Sequence, residues 1–460
     1  MSDGGRPKND DARNGPSRSR RGLLALAGSA ALAGLAGCTG LDDLNPLGAD
    51  EPPTIDGSAL EAALSGETPT VTEPLPVDVE AAYVDRRVGA LREALSSVPA
   101  PFDAEAVPNG MVREEFGRLY DRATEALGRV SEAGSPADAL EPLRYARRSV
   151  REVKAAWAAV DSGLTVAAVE SSVPTVRRAY ESFRERWRYV GEDPVRAALV
   201  HAKLEELVAD AGRRLNRAPG RTRHPRESAL GVGEFAADLE AARAAVEQAA
   251  YLFGRFESSL RSPRSVRDEL TAAGEQLSSM LADRRGALSA PGPGSEASAY
   301  VEGDADLKPV AHAAADLRRS IEYADDIDDE RKTGQRARVV VSALRTLTRV
   351  RAFESLRERV ENGAYVTVES AADVRAIREA AVEAVGNALD SETNPLLVRS
   401  ALGTVGFEYV ADRLHRYEGQ EEVSVTWLAD GLSGYVVVEA TALATPETTA
   451  EVAEVLRPNR

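Results

Sequence analysis

An all-α protein of long amphipathic helical hairpins, carried behind a disordered N-terminal tether, is the fold that this 460-residue sequence predicts. Three observations lead there. Apolar residues recur at alternating steps of three and four over long stretches, which lines one face of a helix. Gly, Pro and Ser gather between those stretches, where chain reversals are needed. Residues 39–78, by contrast, carry Pro, Gly, Thr and acids with little apolar periodicity, as a tether does.

The first element is an apolar run of fourteen residues, 23–36, made of Leu, Ala, Gly and Ser. It is too short to cross a bilayer comfortably, since a spanning helix takes about 20 residues. Arg18, Arg20 and Arg21 precede it and small residues follow it, which is the layout of a secretory signal. Ser19-Arg20-Arg21-Gly22-Leu23-Leu24 resembles the twin-arginine (Tat) export motif, and that resemblance implies export of a folded protein. Leu35-Ala36-Gly37-Cys38 resembles a lipobox, which implies that the Cys38 thiol receives a lipid and becomes the first residue of the mature chain. Cys38 is the only cysteine, so no disulfide can form within the chain. The expectation is a signal over 1–37 and a protein held by lipid to the extracytoplasmic face of the cell membrane.

Residues 1–37 carry six basic and three acidic side chains, which leaves the remainder of this net −17 chain at −20. Nucleic acid is therefore disfavoured as a partner. Five lysines stand against 52 arginines. An acidic, lysine-poor chain of this kind resembles the proteins of salt-loving archaea, and its exported lipoprotein character fits that resemblance. At molar salt the screening length falls to about 3 Å, so only charges in contact count.

After the tether (38–78), the pattern divides into a helical-hairpin domain at 79–288, a linker at 289–303 reading "SAPGPGSEASAYVEG", and a second helical domain at 304–460. Leu143, Ala146, Val150, Val153, Trp157, Val160 and Leu164 step by three and four, and Val166, Val169, Val173, Val176, Tyr180, Phe183, Trp187 and Val190 do the same. Gly163 lies between the two series and suits the left-handed position that ends a helix. The two are expected to fold back as an antiparallel pair, with a kink near Pro174. Phe235, Leu239, Ala242, Val246, Ala249, Phe253, Phe256 and Leu260 form a third series. Ser265-Val266-Arg267-Asp268 resembles a capping box opening the next helix, through Leu270, Ala273, Leu277 and Met280. Leu307, Val310, Ala314, Leu317, Ile321 and Ala324 continue the pattern, and helices are expected at 335–361, 370–390 and 395–418, the last with Pro395 in its first turn. Residues 421–445 hold enough Val and Thr for strands. They are read as helix, because Val425, Leu428, Leu432 and Tyr435 share a face and a strand there would lack a partner.

Histidine is scarce, with four in the chain. His201 and Glu205, and likewise His312 and Asp316, are four residues apart and share a helix face, which makes them the candidate metal ligands. Inward carboxylate–histidine pairs serve di-iron helical bundles. In a chain this acidic, however, each His has roughly an even chance of a carboxylate at helical spacing, so no metal or other cofactor is expected. The acidic run 325–330 lacks the glycine and spacing of a calcium loop. No nucleophile elbow, phosphate loop, dinucleotide fingerprint or zinc-protease motif occurs, and the expectation is a protein that is not an enzyme.

One region departs from the acidic balance. Residues 136–227 hold 18 basic and 13 acidic side chains. Arg144, Arg147, Arg148 and Arg151 flank the first heptad face, and Arg221 and Arg223 sit in the loop-like "RRLNRAPGRTRHPR". Two readings stand: an internal ion-pair surface against the acidic remainder, or a contact face for lipid phosphates or an acidic protein partner. On the heptad pattern Trp157 is a core residue whose loss costs about 3–5 kcal/mol, whereas reversing the four helix arginines leaves helicity near wild type.

The expected function is that of a membrane-anchored, non-enzymatic scaffold that docks a partner. The alternative is a lipoprotein that binds a solute or metal for a transporter. Residues 179–210, "AYESFRERWRYVGEDPVRAALVHAKLEELVAD", resemble the helical hairpins of periplasmic iron-uptake modules but lack their acidic metal motif. That resemblance implies the alternative.

Overall fold

Most of the chain that carries the three-and-four spacing is helical, and most of the spaced residues are buried. The structure, a computed structural model, describes residues 52–457 apart from 106, 217–222, 289–290, 293, 325, 404–405 and 418. Cys38 and the expected signal residues Arg20, Arg21, Leu35, Ala36 and Gly37 lie outside the described residues, as does Arg221.

In chain order the first elements are β1 (Thr54–Asp56), α1 (Gly57–Leu64), α2 (Ala81–Ser96), α3 (Gly110–Glu132) and α4 (Leu140–Asp161). Then come α5 (Val166–Glu170), α6 (Val173–Arg186), β2 (Val190–Gly191), α7 (Pro194–Asn216), α8 (Ala229–Ser259), β3 (Arg264–Ser265) and α9 (Arg267–Ala287). The rest is α10 (Pro309–Glu322), α11 (Asp326–Lys332), α12 (Arg336–Glu361), α13 (Ala371–Leu389), α14 (Pro395–Leu402), α15 (Phe407–His415), β4 (Glu422–Ser424) and α16 (Val425–Leu456). The all-α expectation holds: among the described residues the two sheets are antiparallel pairs of very short strands, β1 with β4 and β2 with β3.

The stripe Leu239, Ala242, Val246, Ala249, Phe253 and Phe256 is buried along α8, which packs against α4 on one side and α7 on another. Close approach of α4 and α8 depends on Gly233. A Cβ there would stand 2.7 Å from the Glu152 carbonyl and 2.8 Å from Ala156 Cβ. Because Gly233 lies near the start of α8, the last turn of α4 runs past its cover. Trp157 is accordingly only half-buried, against Phe102, and Val160 is exposed. The predicted pairing of residues 143–164 with 166–190 does not form. Gly163 does end α4 with φ at 69°, but the second series breaks into α5 and α6, with Pro174 in the first turn of α6. α6 then packs on α7 and α8, while α4 takes α3 and α8 as neighbours.

The expected tether is folded from Pro52 onward. Ile55, Leu60, Ala63 and Val77 are buried, and arginines far along the chain fasten the segment: Arg196 Nε donates to the Pro76 carbonyl at 3.0 Å, and Arg378 donates to the Gly66 and Glu67 carbonyls. β1 also supplies the partner that a strand near residue 423 needed. Thr54, Ile55 and Asp56 pair with Ser424, Val423 and Glu422, after which α16 begins at Val425. Residues 421–445 are thus a short strand followed by helix. The expected capping box at Ser265 is absent, because Ser265 is held in β3 opposite Val190 and α9 opens at Arg267 without a side-chain cap. The helix expected at 395–418 is two helices, α14 and α15.

The segment 289–303 does not divide the chain into two bodies; residues from Pro52 onward form one unit. Tyr300 and Val301 are buried, with Tyr300 edge-on to Phe353 at 6.2 Å. α9 packs on α12 and α16, and α7 packs directly on α12. Those contacts join the earlier and later helices through one core.

Candidate functional site

Two neighbouring side chains on α7, His201 and Glu205, are 0% and 2% exposed. Both are expensive to bury without partners, and each has them. Trp187 Nε1 donates to His201 Nδ1 at 3.1 Å. An indole can only donate, so Nδ1 is the acceptor and Nε2 carries the proton, which it donates to the Val190 carbonyl at 2.9 Å. Burial pushes the His201 pKa down to about 4, so the ring is neutral.

Glu205 does the work of an N-cap from another helix. Gln335, the residue before α12, makes no side-chain cap. Glu205 Oε1 instead accepts from Ala337 N–H at 3.1 Å and Oε2 from Arg338 N–H at 2.7 Å, the second and third residues of α12. Those N–H groups have no partner within the helix, and the positive end of the helix dipole favours a carboxylate there. The Tyr189 hydroxyl donates to Oε1 at 2.6 Å. Burial nevertheless raises the Glu205 pKa to about 7, against the three hydrogen bonds, which lower it. Burial and then Glu205 also push the Tyr189 hydroxyl upward.

The candidate metal pair is therefore structural: both His201 nitrogens and both Glu205 oxygens are engaged within the fold. Asp316 accepts from Arg319 at 3.0 Å, and His312 Nε2 stands 3.9 Å from Asp306. Among the described residues no three His, Cys, Asp or Glu side chains are placed together to hold a metal ion.

The arginines of the basic strip are committed in the same way. Arg147, 8% exposed, binds Glu240 at 2.6 Å and Glu247 at 2.8 Å across the α4–α8 contact. Burial opposes its charge, yet Glu240 and Glu247 hold its pKa above the ordinary value. Arg144 lies 3.8 Å from Glu206 and 3.7 Å from Asp210, and Arg148 lies 3.6 Å from both Glu152 and Asp238. Burial depresses Arg151, with Glu240 opposing. Arg223 binds Glu234 at 3.1 Å. For Arg144, Arg147, Arg148 and Arg223 the internal ion-pair reading describes what is found, and the partner-contact reading loses them; Arg151 is half-buried beside them, with no ion pair of its own among the described residues.

Tyr189 and Glu205 floor a cleft of about 1040 Å³. Tyr180 and Arg184 of α6, Trp187 just after it and Arg213 of α7 line it. Arg267 from the start of α9 and Arg336 and Arg338 from the start of α12 line it as well. Arg184 lies over the Tyr180 ring at 5.5 Å and Arg336 over the Tyr189 ring at 5.6 Å. Of the three acids lining the cleft, Glu205 is spent on α12 and buried Glu330 is bound by Arg338 at 2.9 Å; Asp329 holds Lys332 at 3.1 Å. The open charges are mostly arginines, in a chain that is acidic overall. The sequence singled out Glu205 as a candidate metal ligand, Tyr180 and Trp187 as heptad positions and 179–210 as resembling an uptake module, but did not bring Arg184, Arg267 and Arg336 together as one site. The signal that could have found the site is the stretch 180–189, "YESFRERWRY", in which aromatic and Arg residues interleave. A second cavity of about 930 Å³ is roofed by residues 70–75, and its basic groups are paired, Lys203 with Glu206 and Arg345 with Glu73.

No curated protein and no solved structure matches the chain. Two family models do. Residues 82–263 match one described as Domain of unknown function (DUF8262), and residues 267–454 match one described as Domain of unknown function (DUF8264). The chain is thus similar to one family through its earlier helices and to another through its later ones, and the two matches meet at β3, on the rim of the cleft.

Proposed function

We propose that this is an exported helical lipoprotein, anchored by lipid on Cys38 at the extracytoplasmic face, that acts by holding a solute for a membrane transporter and performs no chemistry of its own. The observation that carries the binding reading is the cleft at the seam of the two family regions, where ligand sites preferentially form. Its size suits a small molecule, and its titratable floor is already used to hold the fold together. The anchoring reading rests on the coincidence at 19–40 of paired arginines, a short apolar run and a lipobox-like Cys38.

A second reading is a scaffold that docks a partner protein. One feature favours it: Trp427 and Tyr409, on α16 and α15, are 59% and 68% exposed. One preparation separates the two. Protein taken from its native membranes at high salt is expected to carry a small molecule in stoichiometric amount, seen by mass spectrometry of the denatured sample. A stoichiometric protein partner with no small molecule would contradict the solute reading. In the same cells Cys38→Ser is expected to move the protein from the membrane fraction to the medium; unchanged membrane retention would sink the lipid anchor.

A further inference from the structure

We infer that the cleft takes a small organic anion with a flat ring, its carboxylate or phosphate met by Arg184 and Arg267 and its ring laid against Tyr180 and Trp187. This rests on the cleft being the working surface, as proposed above.

The charge argument comes first. Among the described residues neither Arg184 nor Arg267 has a carboxylate partner, and both are exposed on the cleft. Arg188 and Arg213, beside them, are 71% and 63% exposed and have only long contacts, 3.7 Å to Glu257 and 3.5 Å to Asp210. Exposed pairs of that length add little, so both guanidinium groups can turn to a ligand. This differs from Arg144, Arg147 and Arg148 on α4, which are paired with carboxylates of the fold. A guanidinium fork matches a carboxylate or phosphate with two parallel hydrogen bonds, and such contact bonds persist where salt screens longer-range attraction.

The shape argument selects the ring. A volume of about 1040 Å³ is far more than an inorganic ion fills. Tyr180, Trp187 and Tyr189 are half-buried and line the same space. Trp187 and Tyr189 are fixed from behind by His201 and Glu205, so their ring positions are set before any ligand arrives. Preset aromatic faces lower the ordering cost of stacking. A cationic ligand would meet several arginines, and a neutral one would leave Arg184 and Arg267 without a use.

The test is equilibrium dialysis of the mature chain in molar KCl against 4-nitrophenyl phosphate, 4-nitrobenzoate, inorganic phosphate and uncharged nitrobenzene. The ring-bearing anions are expected to bind at one site per chain, at least tenfold more tightly than inorganic phosphate or nitrobenzene, and the better of the two identifies the headgroup. Arg184→Gln with Arg267→Gln is expected to weaken that binding at least tenfold with helicity unchanged, whereas Arg118→Gln on α3 leaves it as it was. Nitrobenzene binding as tightly as the anions would overturn the ligand class while leaving the cleft a binding site. Wild-type affinity in the double Gln variant would place the anion elsewhere and overturn the inference. If none of the four binds, the ligand class is likewise overturned, and the small-molecule content of the native preparation then decides whether the cleft binds a solute at all.

Discussion

Glu205→Ala is expected to lower the unfolding free energy by about 2–4 kcal/mol, measured by denaturant titration in molar salt. The change leaves the Ala337 and Arg338 N–H groups and the Tyr189 hydroxyl without their acceptor, and water from the cleft offsets only part of that loss. Glu205→Gln keeps the shape but sets an amide N–H₂ against one of the two backbone donors, and should cost less. The pH dependence separates this role from simple packing. The folded-state pKa of about 7 lies above the ordinary 4.5, so the folded protein binds the proton more tightly. Its contribution is therefore most favourable below pH 4.5 and is lost as pH rises to about 7, a difference of about 3 kcal/mol. His201, with a folded pKa of about 4 against 6.5, has the opposite sign: its contribution is lost as pH falls from 6.5 to 4. Wild-type stability should accordingly change little from these two groups between pH 4.5 and 6.5. Glu205→Gln should gain relative to wild type as pH rises from 4.5 to 7. A stability difference between the two that is flat over that range would remove the buried-carboxylate account.

Arg147→Glu is expected to destabilise by at least about 3–5 kcal/mol, because it breaks a buried pair and sets a third carboxylate against Glu240 and Glu247. Arg147→Met should cost less, since Glu247 keeps Arg87 at 2.7 Å and Glu240 keeps Arg243 at 3.4 Å. Trp157→Ala, at a half-buried site over Phe102, should cost only about 1–2 kcal/mol. This order reverses the one that heptad position alone predicts. Thermal melts of the three variants in one high-salt buffer decide it. Arg147→Glu melting at or above Trp157→Ala would show that the strip is solvated after all.

Periodicity carried the helices because their core residues recur within one element. Leu239 through Phe256 needs no knowledge of its neighbour to read as one face of α8. What periodicity misses is identity of the partner. The strand at Glu422–Ser424 is fixed by Thr54–Asp56, more than 360 residues earlier, in a segment whose Pro and acid content reads as solvated chain. The pairing of α4 with α8 in place of α6 turns on Gly233, a residue that says nothing in isolation about which helix will lie on it. The spacing of His201 and Glu205 identified side chains on one buried helix face. Their use could not be read, because the segment holding Trp187 and Tyr189 and the start of α12, more than 140 residues later, both come to them. Breaker composition at 289–303 suggested a boundary, yet α9, on the near side of it, packs on α12 and α16 beyond it. The family matches divide instead at β3, where the composition changes little.

The account depends most on the two regions being one folding unit, fastened where Glu205 meets α12, with the cleft as their seam. Trp157 reports on the first region and Trp427 on the second. Two single-tryptophan variants, Trp187→Phe with Trp427→Phe and Trp157→Phe with Trp187→Phe, can be unfolded in denaturant at high salt, each followed by fluorescence and by far-ultraviolet circular dichroism. The account predicts a single transition in each variant, with fluorescence and dichroism midpoints that coincide. A dichroism curve with two steps, one tracking Trp157 and the other Trp427, would contradict it.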